Sequence, residues 1–163
     1  MMVDNETRAA IRRLLKRWGA AAQMCRRKQE EIAEYNGLID ATYGLHAQQY
    51  SGMPHGSGIS NPTAMTAEQA DKLREAYKGR IADIVEDIVE LTEFCAAIDS
   101  LLLDLPEDQQ RVIELRYKRF NSTRHNPWVR VARFANMSEA TAKRAERNAV
   151  DALSREIDVK TVS

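Results

Sequence analysis

The sequence predicts an all-α protein, a long amino-terminal antiparallel helical hairpin with coiled-coil packing followed by a small helix-turn-helix domain. Three observations lead there. Two long stretches repeat apolar residues at spacings of three and four, a Gly- and Pro-containing segment separates them, and the last third shows a helix-break-helix pattern rich in positive charge. The expected division is 1–104 for the hairpin, with its loop at 51–63, and 105–163 for the second domain.

In the first helix Ile11, Leu15, Trp18, Ala22, Cys25, Ile32 and Ile39 mark one apolar seam, with charge on the remaining faces. Residues 51–63 hold three glycines and two prolines, which neither a helix nor a central strand tolerates, so a loop is expected. Thr66 followed three residues later by Gln69 is a capping-box start for the second helix. There Ile81, Ile84, Ile88, Leu91, Cys95, Ile98, Leu102 and Leu105 keep a heptad rhythm that calls for a partner helix, and Pro106 disfavours continuation. Folding back about residue 57 brings Trp18 close to Ile98 and Cys25 within about a turn of Cys95. A hairpin too thin to bury both stripes would use its remaining apolar face for self-association.

Past Pro106, the acids Glu107 and Asp108 suit a first helical turn, and Val112, Ile113, Leu115 and Tyr117 supply the apolar side of a supporting helix. A polar, basic loop is expected from Lys118 to Asn126. Pro127 then opens a short helix whose Trp128, Val131, Ala132 and Ala135 face inward. Asn136 falls where a tight turn needs a left-handed backbone, Met137 plugs that turn, and Ser138 caps the next helix. In that last helix Ala142, Ala145, Ala149 and Leu153 point inward, leaving Glu139, Ala140, Lys143, Arg144 and Arg147 outward near the end that enters a major groove in this motif.

The formal net charge of zero is a cancellation between segments. Between Arg111 and Arg147 ten basic residues face three acids, whereas between Glu68 and Asp104 ten acids face four basic residues. A polyanion would therefore be drawn to one end and turned away from the other. Nothing at the amino terminus resembles a signal peptide, and no apolar run approaches the roughly 20 residues of a membrane span. A soluble, cytoplasmic protein without membrane partners is expected. Cys25 and Cys95 read as buried free thiols, and Trp18 and Trp128 as core anchors. His46, His55 and His125 have no metal-ligand spacing, and neither a nucleophile elbow nor a phosphate-binding glycine loop is present. No metal, no cofactor and no catalytic residue is expected, so the chain is read as a non-enzyme.

The run from Leu105 to Tyr117, the Trp128-to-Ala132 helix and Ser138-Glu139-Ala140-Thr141 together resemble the promoter-reading, carboxy-terminal helix-turn-helix domain of bacterial sigma factors. The likeness covers about fifty residues. The whole chain, with Gly52-Met53-Pro54-His55-Gly56 between two long helices, is similar to late-gene transcriptional regulators of phages and prophages, the ArpU- or RinA-like group. The resemblance implies double-stranded DNA as partner, with the base-reading positions falling on Glu139, Ala140, Lys143 and Arg144. Ala140 departs from the charged residue that sigma factors often carry there, so a different target sequence is implied. No counterpart of the promoter-melting sigma domain is visible.

The DNA-binding set expected from these readings is Lys118, Arg119, Arg124, Arg130, Arg133, Ser138, Glu139, Ala140, Thr141, Lys143, Arg144 and Arg147. Arg144 is assigned to bases, and Arg130, Arg133 and the loop bearing Lys118, Arg119 and Arg124 to phosphates. The hairpin is expected to join two copies as a homodimer or to touch RNA polymerase. Two rival readings use the same features: a DNA-packaging component resembling a small terminase subunit, and a coiled-coil adaptor whose basic end binds an acidic protein.

Overall fold

A computed structural model describes residues 2–50, 66–121 and 125–157, with 45–50 described by backbone alone. The chain is all-α, and among the described residues every regular element is helical. The elements are α1 (Asn5–Tyr50), α2 (Ala67–Leu103), α3 (Glu107–Glu114) running into a π-helical turn (Leu115–Arg119), α4 (Trp128–Ala135) and α5 (Glu139–Glu156). The loop expected at 51–63 lies outside the described residues. Two compact units emerge, one made of Met1–Met24 with Leu91–Ser163, the other of Cys25–Glu90. Compactness thus divides the chain elsewhere than between 104 and 105, because the start of α1 and the end of α2 share a core with α3 and α5.

The larger unit holds two hydrophobic cores, and α3 and α5 serve both. On α3 and its π-turn, Ile113 and Tyr117 point into the first core with Ile11, Leu15, Trp18, Ile98, Leu102, Leu105, Ala149, Val150 and Leu153. Val112 and Leu115, one helical face away, enter the second with Val131, Ala132, Ala142 and Ala145. Trp18 is 2% exposed, and its indole Nε1 donates to Asp99 Oδ1 at 2.8 Å, which satisfies the only polar atom of the ring. Arg17 stacks over Phe94, 4.6 Å from the ring centre. Past Trp18 on α1 it is Ala21 that is buried, and Ala22 is exposed. The seam there steps by three after Trp18, so a strict three-four alternation overshoots by one residue.

In the smaller unit the helix segments run antiparallel, as their cross-contacts show. Lys28 pairs with Asp87 at 2.8 Å, the Tyr35 and Tyr77 rings lie 5.6 Å apart, and Arg74 reaches the Thr42 hydroxyl at 3.4 Å. Arg74, buried beside Thr42, is also paired with Asp71 and sits 4.3 Å over the Tyr43 ring. These polar partners fix register along a contact between only two helices, which leaves the expected seam residues Ile32, Ile39, Ile81 and Ile88 half-buried. Leu38, Val85 and Val89 are exposed. The capping box at the start of α2 is formed in both directions, Gln69 N–H to Thr66 Oγ1 at 3.2 Å and Thr66 N–H to Gln69 Oε1 at 3.0 Å. Cys25 and Cys95 are half-buried thiols, less enclosed than the sequence suggests. Among the described residues no helix is long and apolar enough to cross a membrane.

Candidate nucleic-acid interface

The local chemistry of the last third dictates its geometry. Pro106 occupies the N-cap of α3 rather than its first turn, and α2 stops at Leu103. Gln110 closes the α2–α3 corner by donating from Nε2 to the Leu105 carbonyl at 2.7 Å. Asn136, after α4, adopts φ 59° and ψ 42°, the left-handed conformation that its short amide side chain tolerates best among non-glycine residues. The chain then reverses: Met137 N–H donates to Ala132 carbonyl at 3.0 Å while its side chain packs on the second core. Ser138 caps α5, its Oγ accepting from Thr141 N–H at 3.1 Å.

On α5 the inward face is Ala142, Ala145, Glu146, Ala149, Val150 and Leu153, all buried. Glu139, Ala140, Thr141, Lys143, Arg144 and Arg147 are exposed, as is Ser138. Spacings of three and four put Ala140, Lys143, Arg144 and Arg147 on one face. The two inward-leaning carboxylates of α5 take their cations from α1. Arg8 forms two hydrogen bonds with Asp151, at 2.7 and 3.0 Å, and Arg12 two with Glu146, at 2.8 and 2.9 Å. The cations of α5 itself stay on its outer face. The Arg8 hydrogen bond holds the Asp151 carboxyl below its ordinary range, against a smaller opposing effect of desolvation.

Glu146, 4% exposed, also accepts from the Tyr117 hydroxyl at 2.8 Å. Burial, reinforced by the Glu146 charge, pushes the Tyr117 phenol well above its usual range, so it stays a donor. Sequence reasoning missed this network, because its members lie 29 and 134 residues apart. The one available signal was a carboxylate on the otherwise apolar inward face of α5.

The structure corrects the placement of Lys118 and Arg119. They belong to the π-helical turn that prolongs α3, not to a loop, because backbone hydrogen bonding continues through Phe120 N–H to the Leu115 carbonyl at 2.8 Å. Both side chains are exposed and rest on aromatic faces: Lys118 Nζ lies 4.2 Å above the Trp18 ring, and the Arg119 guanidinium 4.2 Å above Phe134. Phe134 and Phe120 pack at 5.3 Å, and Arg130 lies 6.0 Å over Phe120. Arg111, another residue that the expected set omits, donates to the Phe134 carbonyl at 2.9 Å. Arg133 is exposed on α4, and Arg124 lies outside the described residues.

Expected residues border two grooves. Lys118 and Arg119 border a groove with Arg111 and Glu114. Lys143 and Arg147 border a second, with Arg116 from the π-turn and Arg12 and Lys16 from α1. Among the described residues no group of three His, Cys, Asp or Glu side chains is placed to hold a metal ion. Comparison with family models, with curated proteins and with solved structures finds no match to this chain.

Proposed function

We propose that this chain is a sequence-specific, double-stranded-DNA-binding regulator of transcription, an activator of phage or prophage late genes of the ArpU- or RinA-like kind its sequence resembles. One observation carries the reading. A left-handed turn at Asn136 and a serine cap at Ser138 launch α5 with its alanine face buried and Lys143, Arg144 and Arg147 projecting from the opposite side. A helix so presented suits a major groove, where arginine pairs with guanine edges and lysine meets phosphate. The aromatic-backed cations Lys118, Arg119 and Arg130 suit phosphate contacts beside it.

In this reading the protein needs no catalytic group and works in the bacterial cytoplasm at the nucleoid. Its Leu38, Val85 and Val89 surfaces are available to a second copy or to RNA polymerase. Selection of bound duplexes from a random pool, followed by sequencing, tests the proposal. An enriched motif is expected, and retention of the pool without any enrichment would remove sequence specificity from the reading.

A further inference from the structure

The groove beside α5 is built from three separate segments. Lys16 and Arg12 come from α1, Arg116 from the π-turn, and Lys143 and Arg147 from α5. It is open to solvent and has a volume of about 410 Å³. Its lining includes one carboxylate, Glu146, whose Oε1 accepts from Arg12 Nε and the Tyr117 hydroxyl and whose Oε2 accepts from Arg12 Nη2. That charge is already met inside the protein. Among the described residues, Lys16, Arg116 and Lys143 are then left with no carboxylate in the groove to answer them, and Arg147 shares the Asp151 carboxylate, one turn along α5, with Arg8.

Such a cluster is unfavourable for the isolated fold. Lys143 and Arg147 are like charges at i and i+4, and Lys16 and Arg116 are held nearby by the packing of Leu15 and Tyr117 into the first core. Gathering like charge from three segments makes physical sense where an anion neutralises it. The shape selects among anions, because an open trough admits a continuous chain of phosphates more readily than it encloses a small ligand.

We infer that this groove is a clamp for the DNA sugar-phosphate backbone, and that α1 is part of the DNA-contacting surface through Lys16. The inference rests on the DNA-binding reading above and extends it to a helix that the sequence assigns to the hairpin alone. Lys143 and Arg147 share a face with Ala140 and Arg144, so a duplex whose bases meet α5 carries one strand past the Lys143 side of that helix. Lys16 lies on that side. The Arg12–Glu146 and Arg8–Asp151 pairs fix α1 against α5, so Lys16 is held in place before DNA arrives.

The test is a set of anisotropy titrations of the full chain on a selected duplex and a scrambled one across salt concentrations. Lys16 is exposed, so Lys16→Ala should keep the thermal midpoint of the unaltered protein. Affinity for both duplexes should fall by a similar factor, about five- to ten-fold at 0.1 M salt, and the salt slope should shrink by about 0.9 for one lost phosphate contact. Lys16→Arg should restore both quantities. Unchanged affinity and slope for Lys16→Ala, in a chain that otherwise binds duplex, would overturn this inference alone. Failure of the unaltered chain to bind any duplex at low salt would overturn the inference together with the reading beneath it.

Discussion

Gly19 on α1 packs directly against the main chain of Tyr117, so close that a Cβ built at position 19 would collide with the Tyr117 carbonyl. The obstacle is backbone of the π-turn, which cannot swing aside as a flexible side chain can. Gly19→Ala should therefore destabilise the larger unit by about 1–3 kcal/mol through overpacking, despite the roughly 1 kcal/mol that alanine gains over glycine inside a helix. Gly37→Ala is the control. Nothing lies within 4 Å of a Cβ there, so it should stabilise by up to about 1 kcal/mol. Urea midpoints of the two variants should move in opposite directions.

The Arg12–Glu146–Tyr117 cluster ties α1 to α5 and to the π-turn at once. Glu146→Ala leaves the Tyr117 hydroxyl buried without its acceptor and should cost about 2–3 kcal/mol, the scale of a lost hydrogen bond to a charged group. In Glu146→Ala the half-exposed Arg12 can turn to water, whereas Arg12→Ala leaves the buried Glu146 carboxylate with the Tyr117 hydroxyl but without its cation, so Arg12→Ala should cost at least as much. A double-mutant cycle of Glu146→Ala with Tyr117→Phe should show coupling, because removing the hydroxyl relieves part of the penalty. Strict additivity would mean that the hydroxyl finds another partner.

What could be read in advance follows the range of the physics involved. The capping box of Thr66 and Gln69, the left-handed Asn136 and the Ser138 cap are local chemistry, complete within four residues, and each appears where the pattern puts it. The α2 seam is legible because its apolar heptad continues unbroken from Ile81 to Leu105. Other features have no local signature. Val112, Ile113, Leu115 and Tyr117 looked like one apolar side, yet they divide between two cores, one shared with α1 and the other with α4. The pairing of Arg8 and Arg12 with α5 spans more than 130 residues and turns α1 from a stalk into part of the basic module. The π-turn, which lifts Lys118 and Arg119 out of the expected loop, left no mark in the spacing of charges.

Acid should loosen the α1–α5 contact. The Arg8 hydrogen bond lowers the Asp151 pKa in the folded chain, so the carboxylate's contribution to stability is present above the unfolded value, about 3.9, and is lost as pH falls through the depressed folded value. Arg8 remains charged throughout. Unfolding free energies measured from neutral pH down to pH 2.5 should fall more steeply for the unaltered chain than for Asp151→Asn, with the two curves drawing together below about pH 4. Parallel curves would show that Asp151 contributes nothing to the acid response.

Arg144 and Lys118 should fail differently when removed. Arg144 projects from the first turns of α5 on the face with Ala140, where a guanidinium can grip a base edge, while Lys118 is carried by the π-turn over Trp18 and can offer only a point charge. Arg144→Ala should cost about 1–3 kcal/mol on the selected duplex and much less on a scrambled one, which relaxes sequence preference. Lys118→Ala should weaken both duplexes alike and reduce the salt slope by about 0.9. Binding titrations on the two duplexes at several salt concentrations separate the roles, and equal losses for Arg144→Ala on both would take that residue out of base reading and place it among the phosphate contacts.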